Sequence, residues 1–283
     1  MSRDLKSIVN TVGDLPAMPV VAVKVMELLQ DPHASTEALA NAISLDPAVS
    51  ARILKVANSS FYGLQRQVAT IKAAIVILGQ KTLRSMVLAV SLSGMHRRFG
   101  LLEKILWEDS VGCAICARLL GERLRSADPE EAFLAGLFRH IGKVVRNNND
   151  PEAFSNLMQA VYNGEGSFSE LERLRFPYGH AAIGAAVLEK WNFSRPLIES
   201  TLHHGDLNIS PLDDPAIYHL TATVNLAGKF CQKLGIGQRV PEEDLDLAQT
   251  PGARALDVPS TQLETLLSEF KTVFEENRDF FIG

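Results

Sequence analysis

Glu130-Glu-Ala-Phe-Leu-Ala-Gly-Leu-Phe-Arg-His-Ile-Gly-Lys-Val-Val145 is the stretch whose reading decides the fold. Phe133, Leu137, Ile141 and Val144 recur at helical spacing, so one stripe faces a core. Ala132, Gly136 and His140 form a second stripe, two small residues and one imidazole. Small residues let a neighbouring helix approach closely, which places His140 at a helix–helix interface. Asp128-Pro129 opens the segment: Asp accepts from free N–H groups, and Pro at the first helical position has no N–H to leave unpaired. The pattern predicts one buried helix from 130 to 145.

The same start signal recurs along the chain. Asp46-Pro47, Asp150-Pro151 and Asp214-Pro215 each precede an apolar-periodic run, and Ser167-x-x-Glu170 has the spacing of a capping box. No segment shows sustained alternation of apolar and polar residues, so strands are not expected. Helices are predicted at 20–30, 36–45, 47–58, 70–78, 81–95, 101–126, 151–162, 170–175, 195–204, 215–234 and 260–280, with Gly79 dividing the fourth from the fifth. Leu15-Pro-Ala-Met-Pro19 reads as extended, and residues 241–260 read as loop-rich. The expected fold class is all-α, a multi-helix bundle.

Composition narrows the functional classes. The chain has 283 residues, 46% apolar and 22% charged, as in a globular protein. No run approaches the roughly 18 apolar residues of a membrane span, and the polar start Met-Ser-Arg-Asp-Leu-Lys has no apolar signal segment. The net charge of −5 comes without a long basic run, which argues against nucleic-acid binding. Three cysteines suit a reducing compartment. The expectation is a cytoplasmic protein with no membrane and no nucleic-acid partner. Cys113-Ala-Ile-Cys116 shares a helix face and has no second pair to complete a zinc site, so two buried thiols are the reading. No nucleophile elbow, P-loop or dinucleotide-binding glycine pattern appears.

Ala135-Gly-Leu-Phe-Arg-His-Ile-Gly-Lys143 resembles the core motif of HD-superfamily metal phosphohydrolases, which runs A-G-L-L-H-D-I-G-K. Leu15-Pro-Ala-Met-Pro19, Leu45-Asp-Pro-Ala-Val49, Ile53-Leu-Lys-Val-Ala-Asn-Ser-Ser60 and Ile71-Lys-Ala-Ala-Ile-Val-Ile-Leu-Gly79 are similar to successive signatures of the HDOD family of bacterial signalling domains. Tyr178-Gly-His180 and Thr201-Leu-His-His-Gly205 continue the likeness. The resemblance implies an HD-like helical core over 101–240, an N-terminal helical subdomain over 1–100, and a C-terminal loop and closing helix over 241–283. It also implies a regulatory role through a protein partner.

Where the HD motif has its metal-binding His-Asp pair, this chain has Arg139 and His140. The resemblance sets Asp109 at the position of the first metal-binding histidine and Asn225 at that of the last metal-binding aspartate. A permanently charged guanidinium has no lone pair to donate, and Asn225 offers only a neutral carbonyl, so two-metal hydrolysis is not expected and no residue is assigned as catalytic. The expectation is a set of structural histidines and no cofactor. The alternative is a single transition metal such as Zn, Fe or Ni, with His140, His180, His203, His204 and Asp109 as candidate ligands. Adjacent helical residues point about 100° apart, so His203 and His204 do not both face one centre. Arg139 has two readings, an anion contact through its planar fork or a salt bridge to Asp109 or a nearby Glu. Phe61 and Tyr62 are either an exposed partner site or a helix end whose aromatics pack inward. Beside the non-catalytic signalling module stand two alternatives, a metal-dependent phosphohydrolase or phosphodiesterase with a rearranged site, and a nucleotide- or anion-sensing module.

Overall fold

The computed structural model describes residues 7, 8, 11–13, 15–96 and 100–282, and every regular element among them is helical. The chain divides into two compact units. One comprises residues 1–17 and 96–270, the other 18–95 and 271–283.

The second unit contains α1 (Val20–Gln30), α2 (Thr36–Ser44), α3 (Pro47–Ala57) and α4 (Ile71–Leu92). The Asp46 carboxylate accepts from Ala48 N and Val49 N, as its place before Pro47 demands. Gly79 interrupts α4 with φ 81 and ψ 168, outside any helical region. By length and composition Ile71–Met95 is the one segment among the described residues apolar enough to cross a membrane, and half of it is buried inside the protein. Phe61 and Tyr62 lie in a short 3₁₀ turn. Phe61 packs edge-on against Phe281, centroids 5.7 Å apart, and its N–H donates to buried Asn277. The inward-packing reading therefore describes Phe61.

The first unit carries α5 (Leu101–Leu124), α6 (Pro129–Phe138), α7 (Ile141–Asn149), α8 (Pro151–Tyr162), α9 (Phe168–Arg175), α10 (His180–Lys190), α11 (Arg195–His203), α12 (Pro215–Leu234) and the short α13 (Pro251–Ala255). The last helix, α14 (Ser260–Phe281), starts in this unit and ends in the other. Asp128, Asp150 and Asp214 each accept from backbone N–H groups at the helix they precede, and Ser167 and Glu170 form the capping box. Residues 15–19 are extended, as their prolines require. Leu15 and Pro16 carbonyls accept from Lys190 Nζ at 2.6 Å and Trp191 Nε1 at 3.0 Å.

Two expectations are corrected. Residues 130–145 form two helices, not one: α6 ends at Phe138, and α7 starts at Ile141. His140, at φ −112 and ψ 15, is the N-cap of α7. The apolar spacing runs through the break because Arg139 keeps a helical φ/ψ. The break falls where two buried side chains turn to one carboxylate on α5, bonds that the sequence period does not register. Residues 241–260 also contain more structure than a loop, with α13 capped by Thr250.

Close approaches fix the frame of the site. A Cβ on Gly136 would meet the Cys113 carbonyl at 2.6 Å, so α6 lies directly on α5. A Cβ on Gly142 would stand 1.9 Å from the His180 carbonyl oxygen, so α7 and α10 touch backbone to backbone. Phe133, Phe138, Phe154 and Phe230 in the same unit are fully buried.

Candidate metal centre

His140, His180 and His204 converge. Each offers a ring nitrogen, and the three nitrogens lie within 4.8 Å of one another. The ring centroids are 5.1, 5.2 and 5.4 Å apart. His140 comes from the α6–α7 turn, His180 from the first residue of α10, and His204 from the end of α11. The contact at Gly142 brings the first two together.

The Nδ1 atom of each ring already has an acceptor. His140 Nδ1 donates to Asp109 Oδ2 at 2.5 Å, His180 Nδ1 to Glu172 Oε2 at 2.7 Å, and His204 Nδ1 to the Thr201 carbonyl at 2.8 Å. With the proton on Nδ1, the lone pair of each neutral imidazole sits on Nε2. Glu172 Oε1 also accepts from His180 N at 2.9 Å, which locks ring and backbone to one carboxylate. Carboxylates and carbonyls behind imidazoles orient metal ligands and raise their basicity. His180 Nε2 is buried and has no hydrogen-bond partner. A buried nitrogen of that kind costs free energy unless something is bound to it. The donor set therefore fits a metal ion, and an imidazole trio suits a transition metal.

The surroundings keep the rings neutral. Burial pushes all three imidazoles below the ordinary histidine range, and the charges of Lys143 and Arg139 push the same way. Burial also drives the Lys143 ammonium down to about 8. Burial alone would raise the Glu172 carboxyl, but the bonds from His180 and the charge of Arg146 outweigh it and hold it below the usual value. Burial opposes the charge on Arg139 as well, yet Asp109 more than offsets it and the guanidinium stays ionised.

The other residues singled out from the sequence have different fates. Arg139 Nη2 donates to Asp109 Oδ1, which is the salt-bridge reading of this side chain. Asp109 thus spends one oxygen on Arg139 and the other on His140, and stands behind the trio rather than in it. Asn225 donates to the His204 carbonyl at 2.8 Å and accepts from Gly252 N at 2.9 Å, so it ties α12 to α11 and α13. His203 points away from the trio, with Nδ1 3.3 Å from Asp206. The three cysteines are buried and free. Burial pushes the Cys113 thiol up to about 12. Sequence reasoning missed Glu172. It precedes His180 by eight residues across the end of α9 and a turn, a separation with no linear signature.

An all-helical core with three imidazoles at an HD-type position defines the chain as a protein of HD-like fold. A model of the HDOD domain matches residues 15–207, about two thirds of the chain, and the chain belongs to the HDOD family. An HDOD domain protein of unknown function from Geobacter sulfurreducens is 24% identical, with a TM-score of 0.79 over 98% of this chain and 96% of that one. A protein of Shewanella amazonensis, provisionally named a phosphohydrolase, is also 24% identical, with a TM-score of 0.75 over 99% and 97%. Likeness at that identity supports the fold alone. An uncharacterized protein of Treponema pallidum is 23% identical over 269 residues, 94% of this chain and 51% of that protein. The chain spans about half the length of that curated relative.

Proposed function

We propose that this chain is a non-catalytic HDOD signalling module, acting through contacts with a protein partner, whose altered HD site holds one transition metal ion. The observation that carries the metal is the trio itself: three imidazoles fixed through Nδ1, with Nε2 of His180 buried and unpaired. His140, His180 and His204 would hold the ion, and Zn, Fe and Ni suit them. A bound ion would supply Lewis acidity at the one place where the three rings meet.

The non-catalytic part rests on what surrounds the trio. A two-metal hydrolase needs a carboxylate bridging its ions. Here both Asp109 oxygens are engaged, one by a cation that does not leave, and Asn225 is tied to backbone on two sides. Asp109 and Glu172 are engaged in orienting the imidazoles and in pairing with arginines. A single-metal phosphohydrolase remains the second reading, favoured by the convergence of the three rings.

Elemental analysis of protein purified without a histidine tag or chelator tests the metal. Near-stoichiometric metal, lost in His180→Ala, is expected. The same preparation, screened against a generic phosphodiester, separates the readings. Turnover abolished by His180→Ala would overturn the non-catalytic reading, and no metal at all would overturn the site.

A further inference from the structure

Helix α9 meets the trio through two side chains. Phe168 and Glu172, about one turn apart, lie on one face of the helix, and both touch the His180 ring. Phe168 packs edge-on against it, centroids 5.3 Å apart, and Glu172 accepts from Nδ1 and from the His180 backbone N–H. The rest of α9 is lightly held. Of its 8 residues Leu171 and Glu172 are the buried ones. Leu171 joins Leu157 and Ala160 in a small cluster flanked by Val161, Phe168 and Phe176, so the apolar side of α9 packs within its own hairpin with α8. Arg175 adds a bond to the Asn156 carbonyl at 3.1 Å. Ser169, Glu170, Arg173 and Leu174 are exposed. A short helix with so little buried surface is the kind of element that opens locally while the rest of a fold stays intact.

What holds α9 closed depends on what His180 carries. With no ion on it, Nε2 of His180 is buried and unpaired, a cost that hydration on opening relieves. With Nε2 coordinated, that cost is gone and Nδ1–H becomes a stronger donor to the Glu172 carboxylate. Arg146, with Nε 3.3 Å from Glu172 Oε1, holds the helix in both states alike. Coupling of this kind is reciprocal. The factor by which the Glu172 bond tightens metal binding is the factor by which metal tightens the closing of α9. A carboxylate behind a metal-ligating imidazole is worth about 10–100-fold in affinity.

We propose that α9 is a metal-responsive latch: its Phe168–Glu172 face closes on His180 when the trio holds its ion and loosens when it does not, which carries the state of a buried site to the exposed side of the same helix. This rests on the trio's holding a metal. The test is amide hydrogen exchange of the full chain, stripped with a chelator or saturated with zinc(II), with bound zinc measured in the same samples. The amides from Leu171 to Phe176 are expected to exchange about 10–100-fold more slowly with zinc. Glu172→Gln, at zinc concentrations that saturate it, is expected to lose that slowing. Zinc bound by wild type with unchanged exchange in α9 overturns the latch and leaves the metal standing. So does a slowing of equal size in every helix of the chain, which is global stabilisation, or a slowing in Glu172→Gln as large as in wild type. No zinc bound overturns both. The wild-type comparison needs no variant, so it decides the matter even if Glu172→Gln does not fold.

Discussion

Glu172→Gln removes one charge and almost no volume, and its effect follows from four contacts. Oε1 accepts from His180 N, and Oε2 from His180 Nδ1. Arg146 Nε lies 3.3 Å from Oε1, and the Arg146 guanidinium stacks 3.8 Å over the Phe176 ring. Glutamine keeps one carbonyl acceptor for two donors that now face an NH₂ group. Arg146 keeps the ring, the Tyr178 carbonyl and the charge of Asp150. Removing one member of a buried ion pair costs about 3–5 kcal/mol. The aromatic face and the carbonyl retain part of the cation's stabilisation, so about 3 kcal/mol is expected. Metal affinity falls as well, because His180 loses the carboxylate that fixes its Nδ1 proton, and changes of that kind cost about 10–100-fold. Urea denaturation of metal-free protein reads the first quantity, and competition with a chromophoric chelator reads the second. Wild-type metal affinity in a folded Glu172→Gln protein would refute the claim that Glu172 orients a ligand. A stability loss under about 1 kcal/mol would refute the buried-pair argument.

Gly142→Ala gains about 1 kcal/mol in helix propensity but sets a methyl against the His180 carbonyl, an overpacking cost of about 1–3 kcal/mol. A lower denaturation midpoint and weaker metal binding are expected together, since the contact that fails is the one that pairs His140 with His180. In metal-free protein the depressed imidazoles of His140, His180 and His204 refuse protons that the unfolded chain accepts below about pH 6.5. Their contribution to stability is therefore whole above that pH and lost as pH falls below it, and a urea midpoint that stays flat from about pH 7.5 to 5.5 would contradict the burial of these rings. Cys113, Cys116 and Cys231 are buried with raised pKa values, so a thiol reagent is expected to label none of them in the native protein and all of them in denaturant.

Local features of the structure were legible in the sequence, and long-range ones were not. Each Asp-Pro pair begins a helix because its capping bonds close within three residues. Gly79 breaks α4 because its conformation suits glycine almost alone. The divergence of His203 and His204 follows from the helical turn between them. The break at Arg139-His140 was hidden, because its cause lies thirty residues upstream at Asp109. Glu172 was hidden for the same reason, since its relation to His180 exists only after α9 folds back. Asn225 was marked as a lost ligand, and its present use needed α13, which lies in a stretch whose composition suggested loop. The convergence of three rings rests on helix contacts at Gly136, where a small residue announced close approach without naming the partner, and at Gly142, which the sequence did not mark.

Arginine at 139 does more than delete a ligand. Its guanidinium lies against Gly228, where a Cβ would stand 1.9 Å from Nη1, so α12 has room for this side chain only because it carries a glycine there. The charge it brings is permanent, and it faces the carboxylate that also holds His140. An organic cation thus neutralises Asp109 from within the fold, and the carboxylate keeps one task, orienting His140. Under the proposed function this separates two roles that a bridging carboxylate would combine. The imidazoles remain pre-set for one ion, while the oxygen that would reach a second is held by a group that neither exchanges nor titrates. Binding would then be retained where two-ion hydrolysis is not, as suits a module whose output is a change in its contacts and not a product.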